Sequence, residues 1–161
     1  MSGLYRHLMR ALELKIPPPA VVLLIAAAMW GLSLATPLAF VPERIRLFAG
    51  IAIALAGAAT AIAGVIAFRR AKTTVNPLKP ETSSSLVTTG IYRFTRNPMY
   101  VGLALALLGW AVFLASIWAL PGSLIFALYM TRFQIVPEER VLLGLFGTTY
   151  SEYQAEVRRW L

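Results

Sequence analysis

Polar residues that could do chemistry form three groups far apart in this sequence. One is the run 83–92, which starts with three serines, another is Arg96-Asn97-Pro98, and the third is the adjacent carboxylate pair Glu138-Glu139. Carboxylates, amides, hydroxyls and tyrosines can bind the hydroxyl and amino groups of an organic ligand, and a carboxylate can also accept a proton. The residue types therefore suit a site for an organic cofactor.

Metal and thiol chemistry do not fit the composition. The chain has no cysteine and a single histidine, His7. Disulfides, thiolate catalysis, iron–sulfur ligation and metal sites built on histidine and cysteine are therefore excluded, and no metal is expected. The net charge of +8 would suit nucleic acid, but the positions of the basic residues have another explanation, so no nucleic-acid partner is expected.

Long uncharged apolar stretches must position the three polar groups. The chain is 58% hydrophobic and 14% charged, against about 45–50% and 25% in soluble domains. Residues 16–42, 47–68 and 97–131 carry no charge. A helix needs about 20 apolar residues to cross a bilayer, so each of the first two stretches fits one crossing. The third would be about 53 Å long as one helix, and the turn signal Pro121-Gly122 divides it into two antiparallel crossings.

The basic residues predict how these helices are oriented. Most of the 15 lysines and arginines precede the first stretch, connect the second to the third, or follow the fourth, whereas Arg44 and Arg46 alone lie between the first two. Positive charge collects on the cytoplasmic side of membrane proteins and attracts anionic membrane lipids. A signal peptide is the competing interpretation of the first stretch, but its apolar run is too long and lacks a convincing cleavage site.

We therefore predict an all-α polytopic integral membrane protein that forms a single domain, 1–161. Both termini are expected in the cytoplasm, in a bacterial inner membrane. The four transmembrane helices are predicted at 20–41, 46–68, 98–117 and 120–136. Small residues in the second, including Gly50, Gly57 and Gly64, indicate a helix that packs closely against another.

Three further segments are predicted outside the bilayer. Leucines and an isoleucine four residues apart predict an amphipathic interfacial helix within 1–19. Residues 69–97 form a cytosolic loop, longer than is usual unless it is functional or disordered, and we expect 84–96 to be ordered. In the cytosolic segment 137–161, Pro137 should end or kink the fourth crossing, and a final amphipathic helix should present four residues on one side: Tyr150, Tyr153, Val157 and Trp160.

An antiparallel hairpin of the last two crossings would bring the polar groups together. The start of one arm lies beside the end of the other, so Asn97 should lie near Glu138, and the loop leads into the same place. Each group also has a structural explanation. Asn97-Pro98 suits a helix start, Glu138-Glu139 suits a solvated turn, and tyrosines are common at membrane interfaces.

The ordered motifs resemble a known family. They are the run from Leu86 to Tyr92, the run from Arg96 to Gly102, Glu138-Glu139, and Phe146-Gly147 followed by two tyrosines. Together they are similar to the isoprenylcysteine carboxyl methyltransferase family, within a wider group that includes membrane phospholipid methyltransferases. The resemblance covers about residues 73–160. It implies a membrane enzyme that transfers methyl from S-adenosylmethionine to a lipophilic small molecule or a lipidated acceptor.

The resemblance also implies which residues contact the cofactor. These are Ser84, Ser85, Leu86, Val87, Tyr92, Asn97, Pro98, Met99, Tyr100 and Glu138. The family often has histidine at the position of Asn97, and asparagine cannot take a proton near neutral pH.

The acceptor side of the site is less well defined by the motifs. The eukaryotic enzymes have an arginine associated with the substrate where this chain has Gln134, which puts a prenylcysteine carboxylate in doubt, and Arg132 is the nearest alternative. Glu139 is a candidate general base if the acceptor is an ammonium that must first lose a proton.

Two other functions remain open at this point. One is a membrane reductase that uses a nicotinamide cofactor, because sterol reductases share a similar motif around Asn97. The other is a non-catalytic membrane scaffold or a transporter.

Overall fold

The computed structural model describes residues 13–36, 41–72, 78 and 80–161, and these are helical with no strand. The all-α prediction is confirmed for these ranges. The helices are α1 (Pro18–Leu34), α2 (Glu43–Arg70), α3 (Pro98–Leu114), α4 (Pro121–Met130) and α5 (Val136–Glu156). A π-helix, Thr131–Ile135, joins α4 to α5, and short 3₁₀ helices occupy Pro80–Thr82, Gly90–Arg93 and Ile117–Ala119.

Two helical segments of the described chain are long and apolar enough to cross a membrane. They are α2, with 28 residues, and the helical run Ile117–Glu156, with 40 residues. Helices α1 and α3 are also apolar but have 17 residues each. Large apolar side chains are exposed on the outer faces of α1, α2 and α4, such as Leu24, Phe48 and Leu124. The crossing count of four stays a prediction.

The hairpin between α3 and α4 turns earlier than predicted. Helix α3 ends at Leu114 rather than at 117, because Ala115 adopts a left-handed conformation with φ 49°. Pro121 does not lie in the turn and instead begins α4. A proline is favourable at that position because the first N–H of a helix has no intrahelical partner.

Close packing of α2 against α3 depends on glycine. Gly50, Gly57 and Gly64 are the buried residues of α2, spaced seven apart. A Cβ added at Gly57 would lie 2.5 Å from the carbonyl oxygen of Gly102, so any side chain there would push the helices apart. This confirms the prediction that the second apolar segment is a packing helix. The contact aligns the end of α2 with the start of α3, where the polar residues lie.

The helical run continues through Pro137, so the prediction that this proline would end the helix is wrong, and a kink there stays a prediction. Proline has no N–H to donate to the carbonyl four residues earlier, which is that of Phe133. The backbone N–H of Leu14 donates to the Phe133 oxygen instead, at 3.0 Å. The π-helix ends at Ile135, two residues before Pro137, and absorbs one extra residue within the helical run.

The N-terminal segment reaches the C-terminal end of α4 as a turn. Residues 1–12 of the predicted interfacial helix lie outside the described residues, and 13–16 form turns rather than helix. Glu13 forms salt bridges with Arg132 at 2.7 Å and Arg140 at 2.9 Å. The segment is therefore tied to the π-helix through Arg132 and to the first turns of α5 through Arg140.

The predicted final helix is shorter than expected. Helix α5 is broken at Gly147, which has φ 54° and ψ −127°, and it ends at Glu156. Val157 is extended, with φ −118° and ψ 133°. Val157 and Trp160 therefore do not continue the helical face of Tyr150 and Tyr153.

Candidate functional site

A cavity of about 100 Å³ lies where α2 ends, α3 begins and α5 starts. Its walls come from the loop 80–97 and from these three helices. Nine of the residues predicted for the site line it: Ser85, Leu86, Val87, Tyr92, Asn97, Met99, Tyr100, Glu138 and Glu139. The three polar groups of the sequence therefore meet, as the antiparallel hairpin predicts, and 84–96 is ordered.

Tyr92 anchors the loop against the helices. Gly90, with φ 64°, starts the 3₁₀ turn that carries Tyr92 inward, and the tyrosine is 4% exposed. Its ring meets that of Phe68 edge-on at 5.3 Å, and the Tyr153 hydroxyl donates to its backbone carbonyl at 2.7 Å. Burial raises the pKa of the Tyr92 hydroxyl, and Tyr153 and Glu138 raise it further. The hydroxyl therefore stays protonated as a donor.

Glu138 is held by two neutral donors. The Tyr100 hydroxyl and the Gln134 side-chain amide both donate to its Oε1, each at 2.7 Å. Gln134 reaches it from four residues earlier and is itself 2% exposed. Glu138 forms no salt bridge with any residue in the described ranges. A partly buried carboxylate without a cationic partner is costly, and it favours a ligand that brings positive charge or hydroxyl donors.

Glu139 has the opposite environment. Arg96 donates to its Oε1 at 2.8 Å, while Arg159 donates to Oε1 at 3.0 Å and to Oε2 at 2.7 Å. Two guanidinium groups stabilise the ionised carboxylate and make it a weak base. This geometry does not favour the predicted role of Glu139 as a general base, and it indicates that Glu139 organises the two arginines.

Asn97 bonds to the end of the chain rather than capping α3. Its side-chain amide donates to the backbone oxygen of Arg159 at 2.9 Å, and it makes no side-chain cap bond to the helix. Pro98 is the first residue of α3, as predicted for a helix start. The polar part of Asn97 is therefore used to hold the segment after α5 against the site.

Four predicted site residues do not line the cavity. Ser84 donates to the backbone oxygen of Lys72 at 3.4 Å. Pro98 and Gln134 are buried behind the wall. Arg132, one of the two predicted acceptor residues, is turned toward Glu13. Neither predicted acceptor residue therefore faces the cavity.

Several residues that build the site are absent from the predicted cofactor and acceptor contacts. Arg96, Tyr150 and Tyr153 line the cavity, and Arg159 holds Glu139 from behind. The two tyrosines do have a signal in the sequence, because they belong to the family motif after Phe146-Gly147 and lie three apart on one face of a helix. Arg159 has no such signal, because the sequence explains it equally well as a basic residue at the membrane interface. Among the described residues, no group of three or more His, Cys, Asp or Glu could hold a metal ion.

Several known proteins are similar in sequence to parts of this chain. An uncharacterised protein of Haemophilus influenzae is 44% identical over 63 residues, which are 39% of this chain and all of that protein. The protein-S-isoprenylcysteine O-methyltransferase of Schizosaccharomyces pombe is 36% identical over 75 residues, 45% of this chain and 30% of that enzyme. The methanethiol S-methyltransferase of Pseudomonas deceptionensis is 33% identical over 96 residues, 55% of this chain and 32% of that enzyme.

The match therefore spans about a third of the length of each named enzyme. No solved structure gives a significant match. Residues 45–149 match the family model for phospholipid methyltransferase. That range contains most of α2, all of α3 and α4, and the Tyr100–Glu138 pair, and it confirms the resemblance seen in the motifs. This chain belongs to the phospholipid methyltransferase family.

Proposed function

We propose that this protein is a membrane methyltransferase that uses S-adenosylmethionine and methylates a lipophilic acceptor. The observation that carries the proposal is the environment of Glu138. It is a cavity-lining carboxylate with two neutral hydrogen-bond donors and no salt bridge to a described residue. Family membership adds the reaction type.

The residues of the cavity fit this cofactor. S-adenosylmethionine, when bound, supplies a methyl group that is already activated on a positively charged sulfur. Glu138 would accept hydrogen bonds from the ribose hydroxyls or from the amino group of the methionine part. The aromatic and apolar side chains of Phe68, Val87 and Leu142 would surround the less polar parts.

The protein's contribution to the reaction would be positioning. An activated methyl group needs no metal and no covalent enzyme intermediate, so the residues must orient the acceptor's nucleophile and keep water out. The network of Tyr100, Gln134 and Glu138 is suited to this because both donors are fixed on helices. A carboxylate acceptor would need no general base, whereas an ammonium acceptor would need one.

The acceptor would reach the site from the bilayer, between helices. Exposed apolar side chains on α1, α2 and α4 support contact with lipid. The named relatives act on isoprenylcysteine and on methanethiol. Gln134 and Arg132 are both engaged with carboxylates of this chain, Glu138 and Glu13. This supports an acceptor that is recognised by its apolar part rather than by an arginine–carboxylate pair.

The proposed topology has four crossings with both termini in the cytoplasm. The end of α2, the start of α3 and the π-helix all lie at the cavity, and the basic segments of the sequence lie on this side as well. The cofactor would then enter from the cytosol.

Transfer of labelled methyl tests the proposal. Purified protein is incubated with methyl-labelled S-adenosylmethionine and a lipid extract of the host membrane, and lipids are separated and counted. We expect label in a lipid fraction, with loss of the signal for Glu138→Gln. Absence of transfer together with consumption of a nicotinamide cofactor would instead favour a reductase.

A further inference from the structure

The non-helical segment 157–160 runs back along the candidate site after α5 ends. Its backbone oxygens accept hydrogen bonds from residues at the start of α3. Arg96 donates from its side chain to Val157 at 2.6 Å and from its backbone N–H to Arg158 at 3.0 Å. Asn97 donates to Arg159 at 2.9 Å. The segment is therefore fixed to the site along most of its length.

Trp160, at the end of this segment, contacts a different element. Its indole N–H donates to the hydroxyl oxygen of Thr131 at 3.0 Å, and its ring packs against the buried core. The Thr131 hydroxyl in turn donates to the backbone oxygen of Ala127 at 2.7 Å. Because its own proton is used, this hydroxyl acts toward Trp160 as an acceptor, and the pair has one defined geometry.

Thr131 is the first residue of the π-helix, and that helix carries Gln134. A π-helix has wider turns than an α-helix and is usually confined to one turn at a functional site. Any change in its winding at Thr131 rotates Gln134, three residues later, and moves its amide relative to Glu138. The Gln134–Glu138 bond of 2.7 Å therefore depends on where the π-helix begins.

We propose that Trp160 is a positioning residue for the cofactor site. By holding Thr131, it fixes the π-helix and thereby the orientation of Gln134 and Glu138. The inference rests on the proposed function for its consequence on cofactor binding, but the mechanical link between Trp160 and the π-helix does not require it.

The test compares Trp160→Phe with Trp110→Phe. Trp110 makes a similar bond, from its indole N–H to the backbone oxygen of Ala26 at 3.1 Å, between α3 and α1 and away from the π-helix. Each variant keeps an aromatic ring and loses one hydrogen bond. Two quantities are measured on detergent-solubilised protein: amide hydrogen exchange of the peptide 131–138 without cofactor, and the Kd for S-adenosylhomocysteine by calorimetry.

We expect Trp160→Phe to speed exchange in 131–138 and to raise the Kd by about twofold to tenfold, the effect of one hydrogen bond. Trp110→Phe should lower thermal stability without either change. Thr131→Val removes the same bond from the other side, and combined with Trp160→Phe it should add little to the change in Kd.

Wild-type exchange in 131–138 for Trp160→Phe would overturn the proposal, and so would an unchanged Kd accompanied by lower thermal stability. If the wild-type protein does not bind S-adenosylhomocysteine, the proposed function fails. The exchange rates then decide the role of Trp160 by themselves, since accelerated exchange supports the link and unchanged exchange contradicts it.

Discussion

The hydroxyl of Tyr100 donates to Oε1 of Glu138 over 2.7 Å, although the two residues are 38 positions apart in the chain. This bond joins the start of α3 to the start of α5 across the candidate site. Gln134 donates to the same oxygen. The carboxylate is thereby oriented by fixed neutral groups, which keeps its charge available to a ligand.

Tyr100→Phe should weaken cofactor binding while the fold is kept. The change removes only the hydroxyl, and the loss of one hydrogen bond that orients Glu138 should weaken binding by about twofold to tenfold. The Kd for S-adenosylhomocysteine from calorimetry measures it. Tyr129→Phe is the control, because Tyr129 lies outside the cavity lining. Equal affinities for both variants would show that the hydrogen bond from Tyr100 to Glu138 does not contribute to cofactor binding.

Gly57→Ala should destabilise the protein. The added methyl would overlap the carbonyl oxygen of Gly102, and overpacking of this kind costs about 1–3 kcal/mol. Gly31→Ala is a matched control in α1, where a new Cβ meets nothing within 4 Å and helix propensity improves by up to about 1 kcal/mol. Thermal unfolding in detergent should give a lower Tm for the first variant alone. A Tm for Gly57→Ala at or above that of wild type would contradict the close α2–α3 contact.

Glu13 should stabilise the protein in a pH-dependent way. Burial alone would raise the pKa of its carboxyl, but hydrogen bonds and charge from Arg132 and Arg140 outweigh burial and hold the pKa below its ordinary value. A lowered folded-state pKa gives stability that is present above the unfolded-state pKa, about 4.3, and is lost as the pH falls through the folded-state value.

Glu13→Gln should therefore have a lower Tm than wild type at pH 7, and the difference should shrink below about pH 4. The effect is about 1 kcal/mol or less, because both arginines are about half exposed. Paired thermal unfolding curves across pH measure it. A difference that is constant with pH would show that the ion pairs do not stabilise the fold.

Cysteine labelling tests the topology without background, since the chain has no cysteine. Leu120→Cys, in the turn before α4, should react with an impermeant reagent added outside the cell. Glu81→Cys, in the loop before the site, should react only after the membrane is opened. Both positions are exposed in the structure. The reverse labelling pattern would contradict four crossings with cytoplasmic termini.

The meeting of the polar groups could be predicted from the sequence. An apolar stretch too long for one crossing, divided by a turn signal, requires an antiparallel hairpin, and its ends must then be neighbours. That argument placed Asn97 near Glu138, and the structure has Arg96 bonded to Glu139 and Tyr100 bonded to Glu138. The spacing of small residues in α2 likewise indicated its packing role.

Other features have no comparable signal in the sequence. Within the π-helix, the Phe133 carbonyl that Pro137 leaves free accepts a hydrogen bond from the Leu14 N–H, and such a distant partner cannot be read from local composition. The turn at Ala115 requires a left-handed residue that is usually glycine or asparagine. The sequence after Glu156 suggested that the amphipathic helix continues. Its actual path is set by hydrogen bonds from Arg96 and Asn97, which lie in another part of the chain and cannot be inferred locally.

Binding of S-adenosylmethionine to the purified protein tests the central claim most directly. Calorimetry in detergent should detect binding of this cofactor and of S-adenosylhomocysteine by the wild-type protein, and no binding of NADPH. Glu138→Gln should bind about 10- to 150-fold more weakly while its Tm stays at or above the wild-type value, because a partly buried carboxylate without a salt bridge has been removed. Binding of NADPH alone, or undiminished affinity in Glu138→Gln, would contradict the account.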